Sequence, residues 1–441
     1  METTTIAALA TAPGQGGIAV VRLSGPDAEG LLGQVFVPKG AAAPFESHRM
    51  MYGHAVFQGR LIDECLAVLM RAPRSYTRED VAEIHTHGGD EAANGVLNAL
   101  FALGAVPAQP GEFTWRAFLN GRIDLSRAEA VMALVSASGR RAADAALRQL
   151  QGGASAFVKD IRSALVRLLA GVEAVIDYPE EVDEAEAAAD IAPKAEALAG
   201  RLSAACDERA ARLLEEGMEV VLCGKPNVGK SSLLNRMLMD ERAIVTEEPG
   251  TTRDIVRGSV MMGGLRVHLS DTAGIREGGG QVEKLGIERA LNAVQSADLA
   301  LLVIDGSRPI DDQDRALMRM VQDRQHAVLL NKCDLPGADG LPEGLPVSAR
   351  TGEGLPAVTD LIVRQAGHPG ETALTLARHM RLARLAADHL TAAADAMRDG
   401  APLDLCAIDL TAALNALDEI TGERAGEDLL DSIFSTFCVG K

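Results

Sequence analysis

The chain has 441 residues, 47% apolar, 3% aromatic and 24% charged, with 62 acids against 43 bases for a net charge of −19. This length gives material for two to four domains with buried cores and excludes whole-chain disorder. Apolar runs such as Ala297 to Ile304 fall far short of the roughly 20 residues of a membrane span, Met1 to Ala12 has no secretory pattern, and the mean charge opposes nucleic-acid binding except at a local basic face.

Met1 to about Leu119 mixes short strand-like runs (Ile18 to Leu23, Leu66 to Met70, Val81 to His85) with Gly/Pro turns, which predicts an α+β module. From Ile123 the texture becomes Ala, Leu, Glu and Arg at helical spacing, with Leu125, Ala128, Met132 and Val135 on one face. Long helices are expected to about Glu216, broken at Gly152-Gly153, Tyr178-Pro179 and Pro193. From Met218 to about Gln365, β-branched runs alternate with helices, the pattern of a parallel sheet with crossovers. Helical texture then returns, with Met380, Ala383, Ala387 and Leu390 on one face. The predicted arrangement is an α/β domain inserted into a helical domain, with boundaries at 1–119, 120–216, 217–368 and 369–441.

Six cysteines without a CxxC pair speak for a reducing, cytoplasmic setting rather than a disulfide framework or zinc cluster. Of the 43 bases only 8 are Lys, so each Lys stands out. Gly224-Lys225-Pro226-Asn227-Val228-Gly229-Lys230-Ser231 is GxxxxGK[ST] between a strand-like and a helical segment. Such a loop turns backbone N–H groups toward a β-phosphate, while Lys230 neutralises β/γ oxygens and the Ser231 hydroxyl ligates Mg²⁺. Leu265, Val267 and Leu269 alternate as an edge-type strand ending at Asp271-Thr272-Ala273-Gly274, the place of an acid at Mg²⁺ and an N–H at the γ-phosphate. Ala327 to Leu330 ends at Asn331-Lys332-Cys333-Asp334, whose Asp334 carboxylate accepts both guanine N1–H and N2–H₂, and Val347-Ser348-Ala349-Arg350 offers a backbone contact to guanine O6.

Thr251-Thr252-Arg253-Asp254 follows Pro249-Gly250 as the segment that places a Thr hydroxyl on Mg²⁺. Where Ras-like enzymes carry the water-orienting Gln, this chain has Ile275. Arg253, Arg276, Glu283 or a monovalent cation are the candidates to supply what Ile275 lacks. His85 and His87 share a strand face at metal-compatible spacing, but packing or hydrogen bonding is the better reading without a third ligand. Trp115 and three tyrosines give no stacking platform for bases; Arg140-Arg141, Arg378 and Arg381 form either a positive face or a solvated helix surface.

The whole chain resembles the bacterial MnmE (TrmE) family of tRNA modification GTPases. The likeness is carried by Gly14-Gln15-Gly16-Gly17-Ile18, Val21-Arg22-Leu23-Ser24-Gly25, Ser75-Tyr76-Thr77-Arg78-Glu79-Asp80, Gly111-Glu112-Phe113-Thr114, Arg116-Ala117-Phe118-Leu119-Asn120-Gly121, the nucleotide motifs and the terminal Phe437-Cys438-Val439-Gly440-Lys441. The fold it implies is multidomain α+β: an N-terminal α+β folate-binding-like and dimerisation domain, an all-α helical domain and an inserted Ras-like α/β P-loop G domain. It further implies a cytoplasmic, K⁺-activated GTPase, free of the membrane, that forms a homodimer. With an FAD-containing flavoprotein partner, MnmG, in a heterotetramer, it would modify C5 of the wobble uridine of certain tRNAs. The implied product is a carboxymethylaminomethyl or aminomethyl group, made with a 5,10-methylene- or 5-formyl-tetrahydrofolate one-carbon unit.

By this resemblance GTP contacts fall on Asn227, Val228, Gly229, Lys230, Ser231, Ser232, Thr246, Glu247, Glu248, Pro249, Gly250, Thr251, Thr252, Asp271, Thr272, Ala273, Gly274, Asn331, Lys332, Asp334, Ser348, Ala349 and Arg350. Mg²⁺ falls on Ser231 and Thr252, and K⁺ on Asn227 with Thr246, Glu248 and Thr251. Glu283 orients the attacking water, and the candidate catalytic set is Glu283, Asn227, Lys230, Thr252 and Cys438. Folate falls on Arg22, Glu79, Arg122 and Lys441, with Arg at 122 where the family has Lys. Cys438 is either a nucleophile or one-carbon handler near the folate, or a small buried apolar residue. Two other readings compete: a ribosome-assembly or signalling switch of the same GTPase branch, and a folate-dependent transferase with a regulatory G domain.

Overall fold

The computed structural model describes residues 4–40, 44–178, 180, 183–240, 257–271, 292–368 and 373–441. The chain forms two compact units: Met1–Met132 with Gln149–Leu198 and Leu385–Lys441, and Ala133–Arg148 with Ala199–Arg384. Among the described residues no helix is long and apolar enough to cross a membrane.

The first unit holds β1 (Ile6–Leu9), β2 (Ile18–Ser24), α1 (Ala28–Val35), β3 (Phe36–Pro38), β4 (Met51–Phe57), β5 (Arg60–Met70), β6 (Val81–His87), α2 (Asp90–Ala102) and β7 (Val106–Pro107). They make a seven-stranded sheet in the order β3-β4-β5-β6-β2-β1-β7. The period-2 pattern dictates its faces: Val21, Leu23, Ala82 and Ile84 point into one core with α1 and α2 residues, which leaves Arg22 and Glu83 facing the other way. The two are directly opposed in the β2–β6 register, so the register itself sets an ion pair at the sheet surface.

Next come α3 (Glu112–Leu119), α4 (Leu125–Val135), α5 (Arg140–Leu150), α6 (Gly153–Asp177), α7 (Glu184–Ala204) and α8 (Glu208–Glu215). The expected break at Pro193 is corrected, because Pro193 lies inside α7. The ring removes one ladder hydrogen bond, but Ala188, Ile191, Ala195, Leu198 and Leu202 continue one buried stripe past it. That stripe holds the helix together against the local propensity. Breaks do occur at Gly152 and after Tyr178, and an unforeseen one at 136–139 separates α4 from α5.

The second unit holds β8 (Met218–Cys223), α9 (Lys230–Asp240), β9 (Arg257–Met262), β10 (Leu265–Asp271), β11 (Leu299–Asp305), α10 (Asp312–Val321), β12 (His326–Asn331), β13 (Leu345–Val347) and α11 (Leu355–Ala366). Its six-stranded sheet runs β13-β12-β11-β8-β10-β9, parallel except for β9. The edge-strand expectation for Leu265 to Leu269 is corrected: β10 is internal, between β8 and β9. Its alternation reports one buried and one half-exposed face rather than an edge. In β11 both faces are covered, which explains its unbroken apolar run.

Three further helices complete the described chain: α12 (Ala377–Arg398), α13 (Leu403–Thr421) and α14 (Glu427–Ser435). In the first unit α6 buries Val158, Ile161, Leu165 and Val172, α13 buries Leu410, Ala413 and Leu417, and Arg162 Nε donates to the buried Asp418 carboxylate at 2.6 Å. In the second, α5 is hooked onto the β9–β10 turn, since Arg141 donates to Gly263 O at 2.9 Å and to Gly367 O at 2.8 Å. Arg141 is thus committed to backbone carbonyls, whereas Arg140 remains at the surface.

Helix α10 opens with a capping box. Asp311 Oδ1 accepts from the amides of Gln313 (3.0 Å) and Asp314 (3.1 Å), and Asp314 Oδ2 accepts from the Asp311 amide at 3.2 Å. Hydrogen bonding from Lys225, then from the Asp314 amide, lowers the Asp311 carboxyl from its ordinary 3.8 to about 2. The stabilisation from this depressed group is complete above pH 3.8 and is lost as pH falls toward about 2. A carboxyl-carbon NMR titration of the folded protein is therefore expected to place the Asp311 midpoint near 2, rising toward 3.8 in Lys225→Met. A wild-type midpoint at 3.8 would contradict this assignment.

Candidate functional site

The strands β8, β10, β12 and β13 end on one edge of the parallel sheet, where an open α/β sheet places its ligand. The phosphate loop leaves β8 there. Gly224 has φ +148°, and a Cβ on it would overlap Val303 O. Gly229, at φ +97°, is pressed against the Asn331 carboxamide. Asn227 also sits in the left-handed region, at φ +62°, which a short polar side chain tolerates. This backbone path turns successive amides toward one concavity at the α9 N-terminus, a cradle for anionic oxygens.

Lys230, 4% exposed, folds back over the loop and donates to Gly224 O at 3.0 Å and Lys225 O at 2.8 Å. The Ser231 hydroxyl donates to Asp271 Oδ2 at 2.5 Å, with Asp271 buried at the end of β10. A hydroxyl and a carboxylate converging below the phosphate cradle are the donor set a Mg²⁺–nucleotide complex requires.

The residues expected to read the base are tied to this loop. Asn331, 2% exposed, donates from Nδ2 to Val228 O at 2.7 Å and accepts at Oδ1 from Ala349 N at 3.0 Å. Lys332, at φ +69°, extends its ammonium to Asp305 Oδ2 at 2.7 Å. The Ser348 hydroxyl donates to Asp334 Oδ1 at 2.6 Å, and Arg350 lies 2.9 Å from Oδ2. Ser348 first, with the Arg350 charge adding to it, holds the Asp334 carboxyl below the ordinary carboxylate range, so it is an obligate acceptor at neutral pH. An acceptor-only carboxylate matches the paired N–H donors of guanine.

The structure thus assembles Asn227 to Ser232, Asp271, Asn331, Lys332, Asp334 and Ser348 to Arg350. Thr246, Glu247, Glu248, Pro249, Gly250, Thr251, Thr252, Arg253, Thr272, Ala273, Gly274, Ile275, Arg276 and Glu283 lie outside the described residues. Asp305 and the Lys225 side chain were not singled out from sequence, although the scarcity of Lys marked position 225.

A second cluster forms in the first unit. Arg22 donates from Nε to Glu83 Oε1 at 2.9 Å and from Nη1 to Gly440 O at 3.4 Å, with its guanidinium 5.6 Å from the Tyr76 ring and 5.8 Å from that of Phe113. Arg122 lies 4.5 Å from the Tyr76 ring and donates to Tyr76 O at 3.0 Å. Two cations therefore meet at one aromatic ring. Glu79 accepts from Ser24 at 2.7 Å and from the buried Arg116 at 3.1 Å, and Arg116 also pairs with Glu112 at 2.8 Å.

The C-terminal tail belongs to this cluster. A Cβ on Gly440 would overlap Leu9 O, and the carbonyl of Cys438 accepts from Gly111 N at 3.4 Å and from Lys441 N at 3.3 Å, while Cys438 itself is exposed. Tyr76 and Arg116 are the members that sequence reading did not assign to the site; the i,i+4 spacing of Glu112 and Arg116 was the available signal for Arg116. His85 and His87 each have a carboxylate partner, Glu83 at 3.2 Å and Asp63 at 2.9 Å, in keeping with the hydrogen-bonding reading.

Fold and site together define a P-loop guanine-nucleotide-binding protein. Family profiles described as "GTP-binding protein TrmE N-terminus" and "MnmE helical domain" match residues 5–122 and 125–438. Among similar proteins, the "tRNA modification GTPase MnmE" of Geobacter sulfurreducens is 45% identical over 99% of both chains, and that of Chloroflexus aurantiacus 46% over 99% of both. The protein of that name from Streptococcus thermophilus is 42% identical over 100% of this chain and 99% of its own. The chain belongs to the MnmE (TrmE) family of tRNA modification GTPases.

Replacing Asn331 by Ala removes two buried hydrogen bonds at about 1 kcal/mol each, so guanine-nucleotide affinity is expected to fall roughly tenfold or more. Titration with a fluorescent GDP analogue measures this. Wild-type affinity in a folded Asn331→Ala protein would refute the role given to the carboxamide.

Proposed function

We propose that this chain hydrolyses GTP and takes part in tRNA modification. The observation that carries the reading is the hydrogen-bonded set Val228–Asn331–Ala349 with Ser348–Asp334, which links a phosphate cradle to a guanine acceptor in a chain related along its full length to tRNA modification GTPases. The proposed division is an N-terminal folate-binding and dimerisation domain at 1–119, a helical domain at 120–216 and 369–441, and an inserted G domain at 217–368.

In this proposal Ser231 and Thr252 hold Mg²⁺, while Asn227 and the backbone of Thr246, Glu248 and Thr251 hold K⁺. The two cations supply positive charge against the triphosphate, the role an arginine has in other GTPases. Lys230 exchanges the carbonyls of Gly224 and Lys225 for phosphate oxygens. Glu283 orients the attacking water in place of the Gln that Ile275 cannot mimic.

In the first unit the cationic, aromatic-lined cluster of Arg22, Arg122 and Tyr76 offers charge for the carboxylates of a tetrahydrofolate derivative and a ring for its planar end. Glu79 and Lys441 complete the proposed folate set, with Cys438 beside them in sequence. The working form is a cytoplasmic homodimer that joins an MnmG-type FAD protein and tRNA to modify C5 of the wobble uridine with a folate one-carbon unit.

GTP turnover in KCl is expected to exceed that in NaCl at matched ionic strength by tenfold or more. Equal, slow turnover in both salts would remove K⁺ from the mechanism. Glu283→Ala is expected to keep GTP affinity while turnover drops by on the order of a hundredfold; unchanged turnover would free Glu283 of its role.

A further inference from the structure

The phosphate-loop motif leaves its second position open, yet here that position carries a buried cation. Lys225 is 7% exposed. Its ammonium lies 2.5 Å from Asp311 Oδ2 and 2.7 Å from Asp314 Oδ2, and Asp314 is itself 3% exposed. Both carboxylates also serve the capping box of α10, so the ammonium closes a network already fixed by helix amides. A buried lysine is tolerated only when its donors are satisfied, and this one is held by two carboxylates.

The other end of the same residue faces the chemistry, because Lys225 O accepts the Lys230 ammonium at 2.8 Å. The first turn of the phosphate loop is therefore anchored from behind by a side chain and engaged from the front by the phosphate-binding lysine. Without the Lys225 charge, Asp311 and Asp314 would remain as two acids behind a loop that must receive a triphosphate.

We infer that Lys225 is a positioning residue for the guanine nucleotide: its ion pairs to the α10 cap hold the phosphate loop in its receptive shape and screen two carboxylates from the phosphates. This rests on the nucleotide-binding reading given above. Because the anchor acts on the loop before chemistry, its loss weakens binding and leaves the rate at saturation alone. The positive charge is the active element, so arginine keeps most of the function and methionine does not.

The test is equilibrium binding of a fluorescent GDP analogue, with steady-state GTP turnover, on full-length wild type, Lys225→Met, Lys225→Arg, Asp311→Asn and the double variant Lys225→Met/Asp311→Asn. Lys225→Met is expected to raise Kd and KM tenfold or more with kcat within about twofold, and Lys225→Arg to recover most of the affinity. Asp311→Asn, which keeps a side chain competent to cap α10 but loses the charge that pairs with Lys225, should weaken binding severalfold while the protein stays folded. The double variant should bind no worse than Lys225→Met, as expected of coupled partners. Wild-type affinity in Lys225→Met or in Asp311→Asn, a fall in kcat at constant KM, or losses that multiply in the double variant would overturn the inference. If Lys225→Met does not fold, Asp311→Asn and Lys225→Arg decide the matter alone. Failure of the wild type to bind the analogue would instead overturn the nucleotide reading itself.

Discussion

The nucleotide site depends on one carboxamide. Asn331 reaches from the end of β12 to the phosphate loop through Val228 O and to the base-reading loop through Ala349 N, so two loops far apart in sequence share one rigid partner. The contact is close enough that the facing loop residue, Gly229, has no room for a Cβ. A buried amide with donor and acceptor both used is strongly directional, and it sets the spacing between phosphate cradle and base acceptor. Sheet order serves the same end: with β8 flanked by β10 and β11, the Ser231–Asp271 pair lies on one side of the loop and the Asn331 clamp on the other.

Charge in the first unit follows a related logic. A chain of net charge −19 brings Arg22, Arg116 and Arg122 together on one side of its N-terminal sheet and fixes each by a carboxylate, a carbonyl or a ring. Register puts Arg22 opposite Glu83, and the tail lies against β1 through Gly440, so residues 418 apart share one hydrogen bond. Both ends of the chain thereby contribute to one polar cluster, which suits a site needing positive charge within an acidic protein.

Much of this was legible in the sequence because period-2 and helical patterns report burial directly. β2, β6, β8 and the stripe through Met380 and Leu390 lie where the alternation and the i,i+3/i+4 spacing put them. The phosphate loop and the two motifs proposed to read guanine stand out in the sequence because such chemistry fixes residue types at fixed spacing. What escaped were features decided by tertiary contact. Pro193 continues a helix because its neighbours are buried, β10 is internal because β9 pairs with it, and Arg141 leaves the helical surface for the carbonyls of Gly263 and Gly367. The meeting of Arg22 and Arg122 at Tyr76 was hidden because cation–ring contacts have no sequence period.

The central claim is that the second unit carries a preformed site selective for guanine nucleotides. Displacement of a bound fluorescent GDP analogue from wild-type protein by unlabelled GDP and by ADP tests it most directly. GDP should displace at near-stoichiometric concentration, while ADP, lacking the donor pair that Asp334 accepts, should require on the order of a hundredfold more. Displacement by ADP as readily as by GDP would contradict the account.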